Sequence, residues 1–333
     1  MTTPSFISPD MTLIRDSRET IRYQAIIGSA DLYIEALRNE LLNLNAGITE
    51  TDLLVSNTLT SSIIALQTEE LSDTLEAVRA LTSSEQNTAS KEIIEFYSKT
   101  ANKLIVMCID KLEELRGTLS NGVFSVRHST ISNNRFRLAE LAEVRTSLSN
   151  ELDIEKVPLE GLFDDEKTLN EAIRLFESLT YIDRLKPLLK QLTGLIGTQP
   201  ETLQTAAMKA GLEVANKLLD EANELIKYQG LIKARNTLRV RLMERQARVT
   251  SLQAQLNDND KKTKQLRDTQ KVIEPRNIYA DETNKIVDSL SLFLDVVTQP
   301  AQGDVQKKGD RLIAHAKALL PHLKSLKGQW LRG

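Results

Sequence analysis

A chain of 333 residues with 41% hydrophobic and 27% charged side chains has the make-up of a folded protein, which excludes a largely disordered one. A net charge of −3 gives no basic footprint for nucleic acid. Aromatic residues at 4% are few for a β-protein or for an enzyme with a deep pocket, and a single cysteine, Cys108, excludes an internal disulfide.

The opening stretch Met1–Asp10 lacks a basic start and an apolar core, so it does not read as a signal peptide. From Asp10 to Val157 there is no proline, and the glycines are only Gly28, Gly47, Gly117 and Gly122. Because a proline inside a helix costs about 3 kcal/mol, its absence permits very long helices. Residues 11–45 read as a first helix with Ile14, Ile21, Ile27, Ile34, Leu37, Leu41 and Leu44 on its apolar side, ended by Asn45-Ala46-Gly47. Thr49 or Thr51 caps a second helix to about Leu81, and Thr82-Ser83-Ser84-Glu85 makes a turn. A third starts near Ser90. Its seam of Ile94, Tyr97, Ala101, Ile105, Cys108, Leu112, Leu115 and Leu119 advances in steps of three and four, which keeps one stripe facing a partner. Gly117 and Ser120-Asn121-Gly122 weaken it before Phe136, Leu138, Leu141 and Leu148 resume the pattern. This predicts one long bent rod, of about 90 Å for ~60 residues.

Pro158 and Gly161 predict a break over Asp153–Asp165, with Asp164 or Asp165 capping a fourth helix that runs toward Leu195. A tight turn over Gly194–Pro200 leads into a fifth helix from Glu201 to about Tyr228. Beyond Gly230 lies a basic amphipathic helix with Lys233, Arg235, Arg239, Arg241, Arg245 and Arg248 around a seam of Leu238, Leu242, Val249, Leu252 and Leu256. Asn257–Lys271 is nearly all polar, Pro275 interrupts, Ile278–Val297 is helical again, and Pro300–Gly303 precedes a last helix to Trp330. No strand pair with hairpin turn chemistry and no short repeat is legible. Short connections between long helices predict antiparallel neighbours, hence an all-α, elongated antiparallel bundle.

Catalytic chemistry is not legible. His128, His315 and His322 lie in no metal-binding motif, and no phosphate-cradling loop or nucleophile elbow is present. Cys108 reads as a small buried hydrophobe. Asp164-Asp165-Glu166 reads as a helix start favoured by the macrodipole. The run Lys233–Arg248 reads as a solvated face or a row of interhelical ion pairs in preference to a polyanion site. The expectation is a non-enzyme without cofactor or metal.

One segment departs from a plain bundle. Between Gln191 and Met208 the only charge is Glu201, and the surrounding stretch 185–219 is rich in Gly, Ala, Thr and Leu. Small residues let helices approach closely in lipid, and threonine hydroxyls can bond the backbone there. Leu188, Leu189, Leu192, Leu195 and Ile196 form the apolar side of one arm; Leu203, Met208 and Leu212, with the intervening alanines, form that of the other. This hairpin is the expected membrane-inserting element, with Thr198-Gln199-Pro200 at its tip. The alternatives are an ordinary αα-hairpin packed on the bundle, or a different tip at Leu119–Phe136. No stretch reaches the ~20 consecutive apolar residues of a constitutive membrane helix.

Long antiparallel rods, a weakly apolar mid-chain hairpin, no legible signal peptide and no catalytic motif make the chain similar to the α-helical pore-forming toxins, and its length, helix order and opening stretch from Pro9 to Leu44 narrow the likeness. More narrowly, it resembles the smaller B component of the binary α-xenorhabdolysin cytotoxins. The resemblance covers the whole chain and has no short motif, so no site residue is carried over. It implies a tail bundle of the cytolysin A kind from residues 1–120 and 235–333, and a neck and head from residues 121–234. It implies a larger A component as partner, a hetero-oligomeric ring on a target membrane, and a B component that opens to insert helices. Such a protein is made soluble in a bacterial cytoplasm, released without a cleavable signal and active at a host membrane. The competing function is a cytoplasmic coiled-coil scaffold or adaptor.

Overall fold

A computed structural model describes residues 5–83, 88–177, 224–299 and 305–332. Among them all regular structure is helical: α1 (Met11–Tyr23), α2 (Glu35–Ala65), α3 (Glu69–Ser83), α4 (Thr88–Arg127), α5 (Arg135–Glu177), α6 (Glu224–Gln270), α7 (Ile273–Val297) and α8 (Val305–Trp330). The all-α class and the very long rods are as expected. Helix α5 has 43 residues and α6 has 47.

Several boundaries differ from the sequence reading, each for a physical reason. The first helix is not continuous to Asn45. Asp10 caps α1 by accepting from the backbone N–H groups of Thr12 and Leu13 at 2.8 and 3.2 Å. A π-helical turn, Gln24–Gly28, then follows, and Ile34 is extended before α2 begins. The extra residue in a π-turn shifts the helix face by about 100°. Ile27, expected on the apolar side, is exposed: six residues after buried Ile21 is about 120° round an α-helix, and the π-turn does not bring it back. Gly47 does not end a helix: it lies inside α2, flanked by buried Leu44 and Ile48, whose packing outweighs a glycine cost of about 1 kcal/mol. The second helix instead breaks at Leu66–Thr68, without glycine or proline.

The weak point at Ser120-Asn121-Gly122 is regular helix inside α4. A Cβ at Gly122 would lie 2.7 Å from Leu54 Cδ1, so the glycine is where α4 and α2 approach closely. The turn comes later, over Ser129–Asn134, and separates α4 from α5. The break expected at Asp153–Asp165 is also absent, since α5 carries Pro158 in its interior. Leu152 and Leu159 on either side of the proline are both buried, and that burial offsets the lost hydrogen bond. Asp164 and Asp165 therefore cap nothing. Pro275 falls in the first turn of α7, where a missing N–H is harmless.

The chain forms two compact units. Unit 1 combines Met1–Asn134 with Lys264–Gly333, and unit 2 is Arg135–Thr263. In unit 1, α1, α2, α4, α7 and α8 close one core around Ile14, Leu44, Leu112, Tyr279, Phe293 and Leu319. In unit 2, the described part is the pair α5 and α6. Leu159, Leu162, Leu169 and Ile173 pack there on Leu231, Leu238 and Leu242, and Leu152 packs on Leu252 and Leu256. The expected domain limits at residues 120 and 235 fall inside α4 and α6.

Candidate functional site

The expected inserting residues Leu188, Leu189, Leu192, Leu195, Ile196, Leu203, Met208 and Leu212 lie outside the described residues, as does the turn Thr198-Gln199-Pro200. The helices that bound this segment in the chain are described: α5 leads to Glu177 and α6 resumes at Glu224. Their leucine seam is lined by ion pairs. Arg239 Nε meets Glu166 Oε1 at 2.6 Å, Arg245 Nη1 meets Glu155 Oε2 at 2.8 Å, and Arg145 Nε meets Asp260 Oδ1 at 2.8 Å. The basic run from Lys233 to Arg248 thus contributes an interhelical ion-pair row, as its spacing suggested. Asp165, read in the sequence as part of a helix start, is instead a buried group. It is 4% exposed, and its Oδ1 has no hydrogen-bond partner among the described residues. Burial, reinforced by the neighbouring Asp164 charge, pushes its carboxyl up to about 7.

The competing tip, Leu119–Phe136, is not a free turn. Leu119, Val123 and Val126 are buried in the core of unit 1. The chain after them is pinned at several points. Ser132 donates to the Glu40 carboxylate through its N–H at 2.8 Å and its hydroxyl at 2.5 Å. Gln270 Nε2 donates to Ser132 O at 2.9 Å, and Arg276 Nη1 to Ser129 O at 2.7 Å. Phe124 is exposed and stacks on His128, with ring centroids 3.9 Å apart.

Unit 1 holds a polar cluster that joins four helices. Arg18 of α1 meets Asp52 of α2, Nη2 to Oδ1, at 2.8 Å. Tyr279 of α7 donates its hydroxyl to the same Asp52 oxygen at 2.7 Å. The Arg18 guanidinium carbon lies 4.4 Å from the ring centroid of Trp330, at the end of α8. Burial raises the Asp52 carboxyl above its ordinary value, against the lowering effects of Tyr279 and Arg18. The Tyr279 hydroxyl is pushed up by burial and by the Asp52 charge. Residues 18 and 330 are too far apart in the chain for any local signal to pair them. Elsewhere in unit 1, His315 is buried, and burial lowers the His322 imidazole, whose ring stacks on Phe6 at 5.4 Å.

A groove of about 620 Å³ opens on unit 1, lined by the end of α2, the start of α3, the middle of α4 and Leu312 of α8. Cys108 lines it, and burial pushes the thiol up to about 11. Among the described residues no set of three or more His, Cys, Asp or Glu side chains could hold a metal ion, and no helix is long and apolar enough to cross a membrane.

No family model matches the chain, and no curated protein matches it in sequence. Its fold is similar to solved structures over nearly its whole length. XaxB from Xenorhabdus nematophila aligns with a TM-score of 0.73 and 16% identity, covering 98% of this chain and 99% of that one. PaxB from Photorhabdus luminescens aligns at 0.71 with 15% identity, covering 98% of each chain. A chain of the XaxAB pore complex from Xenorhabdus nematophila aligns at 0.73 with 19% identity, again covering 98% and 99%. The resemblance drawn from the sequence therefore holds at the level of the fold: this chain has the all-helical fold of the XaxB and PaxB proteins.

Proposed function

We propose that the protein is the B component of a two-component α-helical pore-forming cytotoxin. The observation that carries the reading is end-to-end similarity in fold to XaxB and to a chain of the XaxAB pore complex. In this reading the partner is a larger A component, and the two assemble as a ring on a target-cell membrane. The tail bundle is built from the N- and C-terminal helices, residues 1–120 and 235–333, and the middle of the chain, residues 121–234, supplies the neck and head. The protein is made in soluble form and acts at a host-cell membrane.

The mechanism follows from differential affinity. Partner and membrane contacts bind the open form better than the closed one and so shift the equilibrium toward it. Helices suit this because each satisfies its own backbone hydrogen bonds in lipid. The charge-poor run Gln191–Met208 supplies the apolar surface, and neighbours in the ring share a burial too small for one arm alone. A charge at the midpoint of a lipid-facing helix costs about 2.5–3.5 kcal/mol. Ile196→Asp or Leu195→Lys should therefore abolish lysis and leave the far-UV circular dichroism spectrum unchanged. A cysteine scan with an environment-sensitive dye, in a Cys108→Ser background, tests the location. Blue shifts on membrane addition are expected from Leu192 to Met208; shifts at Val123 and Phe124 instead would move the tip.

A further inference from the structure

The groove on unit 1 plays no part in the insertion mechanism, yet its walls are built like a docking surface. Ile64 and Met107 are 60% and 57% exposed at its mouth. Leu71, Leu104 and Leu312 form the floor. Phe96, 66% exposed, precedes Met107 on α4 by eleven residues, three turns, which places it within about 20° of the same face. Thr100 and Lys103 stand between them on that face, so the continuous apolar contact is the shorter one over Ile64, Leu71, Leu104, Met107 and Leu312, enough for a short stretch of helix.

The charges at the groove have one sign left over. Lys111 Nζ is held by Glu114 Oε2 at 2.7 Å, one helical turn away. Glu70 and Asp110 line the groove without an ion-pair partner among the described residues. Helix α2 ends and α3 starts at the groove, so the partial charges of the two helix ends offset and the carboxylates set its sign. Unpaired carboxylates repel lipid phosphates, which argues against a headgroup. A second copy of this chain is also a poor donor, because Arg239 and Arg245 of its basic helix are committed to Glu166 and Glu155.

We propose that this groove docks a basic amphipathic helix of a partner protein, its apolar side on Ile64, Leu104 and Met107 and its lysine or arginine side chains on Glu70 and Asp110. The proposal rests on the two-component reading only in taking the larger component as the source of that helix.

Cys108, the single cysteine, is a built-in reporter, since a docked helix covers it. Its thiol, pushed up by burial, reacts slowly at neutral pH, so protection is read as a further drop in rate. The full chain is treated with N-ethylmaleimide in four arms: alone, with a Leu/Lys amphipathic peptide of about 18 residues, with its Leu/Glu counterpart, and with phosphatidylcholine–phosphatidylserine vesicles. The Leu/Lys peptide should slow alkylation saturably, about tenfold when nine-tenths of the sites are filled. The Leu/Glu peptide and the vesicles should have no effect. Glu70→Lys/Asp110→Lys, both on exposed side chains, should remove the protection, and Glu70→Gln/Asp110→Asn should weaken it. Equal protection by both peptides, no protection by the Leu/Lys peptide, or full protection in the charge-reversed variant overturns the proposal. Protection by vesicles alone makes the groove a membrane surface and overturns it too. If the wild type lyses cells with the larger component and the charge-reversed variant lyses them equally well, the groove assignment fails and the toxin reading stands.

Discussion

Units 1 and 2 solve the same problem, burying leucine, in different ways. Unit 1 wraps helices around a closed core in which Tyr279 and Phe293 are wholly buried, and it ties four of them at one polar cluster. The described part of unit 2 is a helix pair with a narrow leucine seam, flanked by ion pairs and interrupted by the buried carboxyl of Asp165. A seam between two helices removes less apolar area per residue than an enclosed core, and surface ion pairs add little. The contrast teaches where a conformational change is cheap. Helices α5 and α6 can part at modest cost, while unit 1 resists opening.

The largest difference should come from truncating the two apolar sets. Phe293→Ala should destabilise unit 1 by about 3–5 kcal/mol, read by urea unfolding through Trp330, the single tryptophan. Leu238→Ala, at the unit 2 seam, should cost about 2–3 kcal/mol and appear as faster amide exchange in α5 and α6, with Trp330 unmoved. Equal costs at the two sites would erase the distinction between the units.

The polar cluster should come next. Asp52→Ala leaves the Arg18 charge without its carboxylate and Tyr279 without its acceptor, at a cost of about 1–3 kcal/mol, with a change in Trp330 emission. An unchanged spectrum and midpoint would mean that the cluster holds nothing together.

How much of this was readable beforehand depends on where the signal lies. The α4 seam was legible because Ala101, Ile105, Leu112 and Leu119 repeat within one helix, and all four are buried. The break at Leu66–Thr68 was not, since no proline or glycine marks it and α2 and α3 both continue the apolar pattern. Pro158 misled in the other direction, because a local rule was overridden by packing on both sides of it. Gly122 looked like a helix breaker and proved to be a point of contact. The Arg18–Asp52–Tyr279–Trp330 cluster depends on tertiary packing alone. The inserting hairpin, read from its lack of charge, remains a proposal.

Acidity should separate the units further. Burial and the Asp164 charge push the Asp165 carboxyl up to about 7 in the folded state, from an ordinary value of about 3.8. Between these values the folded state holds the proton, so the group's unfavourable contribution grows as pH rises from 4 to 7 and is complete above 7. Asp165→Asn should therefore slow exchange in α5 and α6 at pH 8, with a gain of about 1–3 kcal/mol that disappears near pH 4. A gain equal at both pH values would assign the effect to packing. The smallest change should come from Arg239→Gln, which removes a half-exposed ion pair with Glu166. It should cost less than about 1 kcal/mol and nothing at high salt.

The central claim, that this chain is one half of a two-component pore, is tested most directly by dye release from liposomes. The purified chain, its larger component and the mixture are added separately, and the mixture is repeated with Ile196→Asp. Rapid release by the mixture alone, lost in the variant, is the predicted result. Full release by this chain without a partner, or none by the mixture on any membrane that the larger component binds, would contradict the claim.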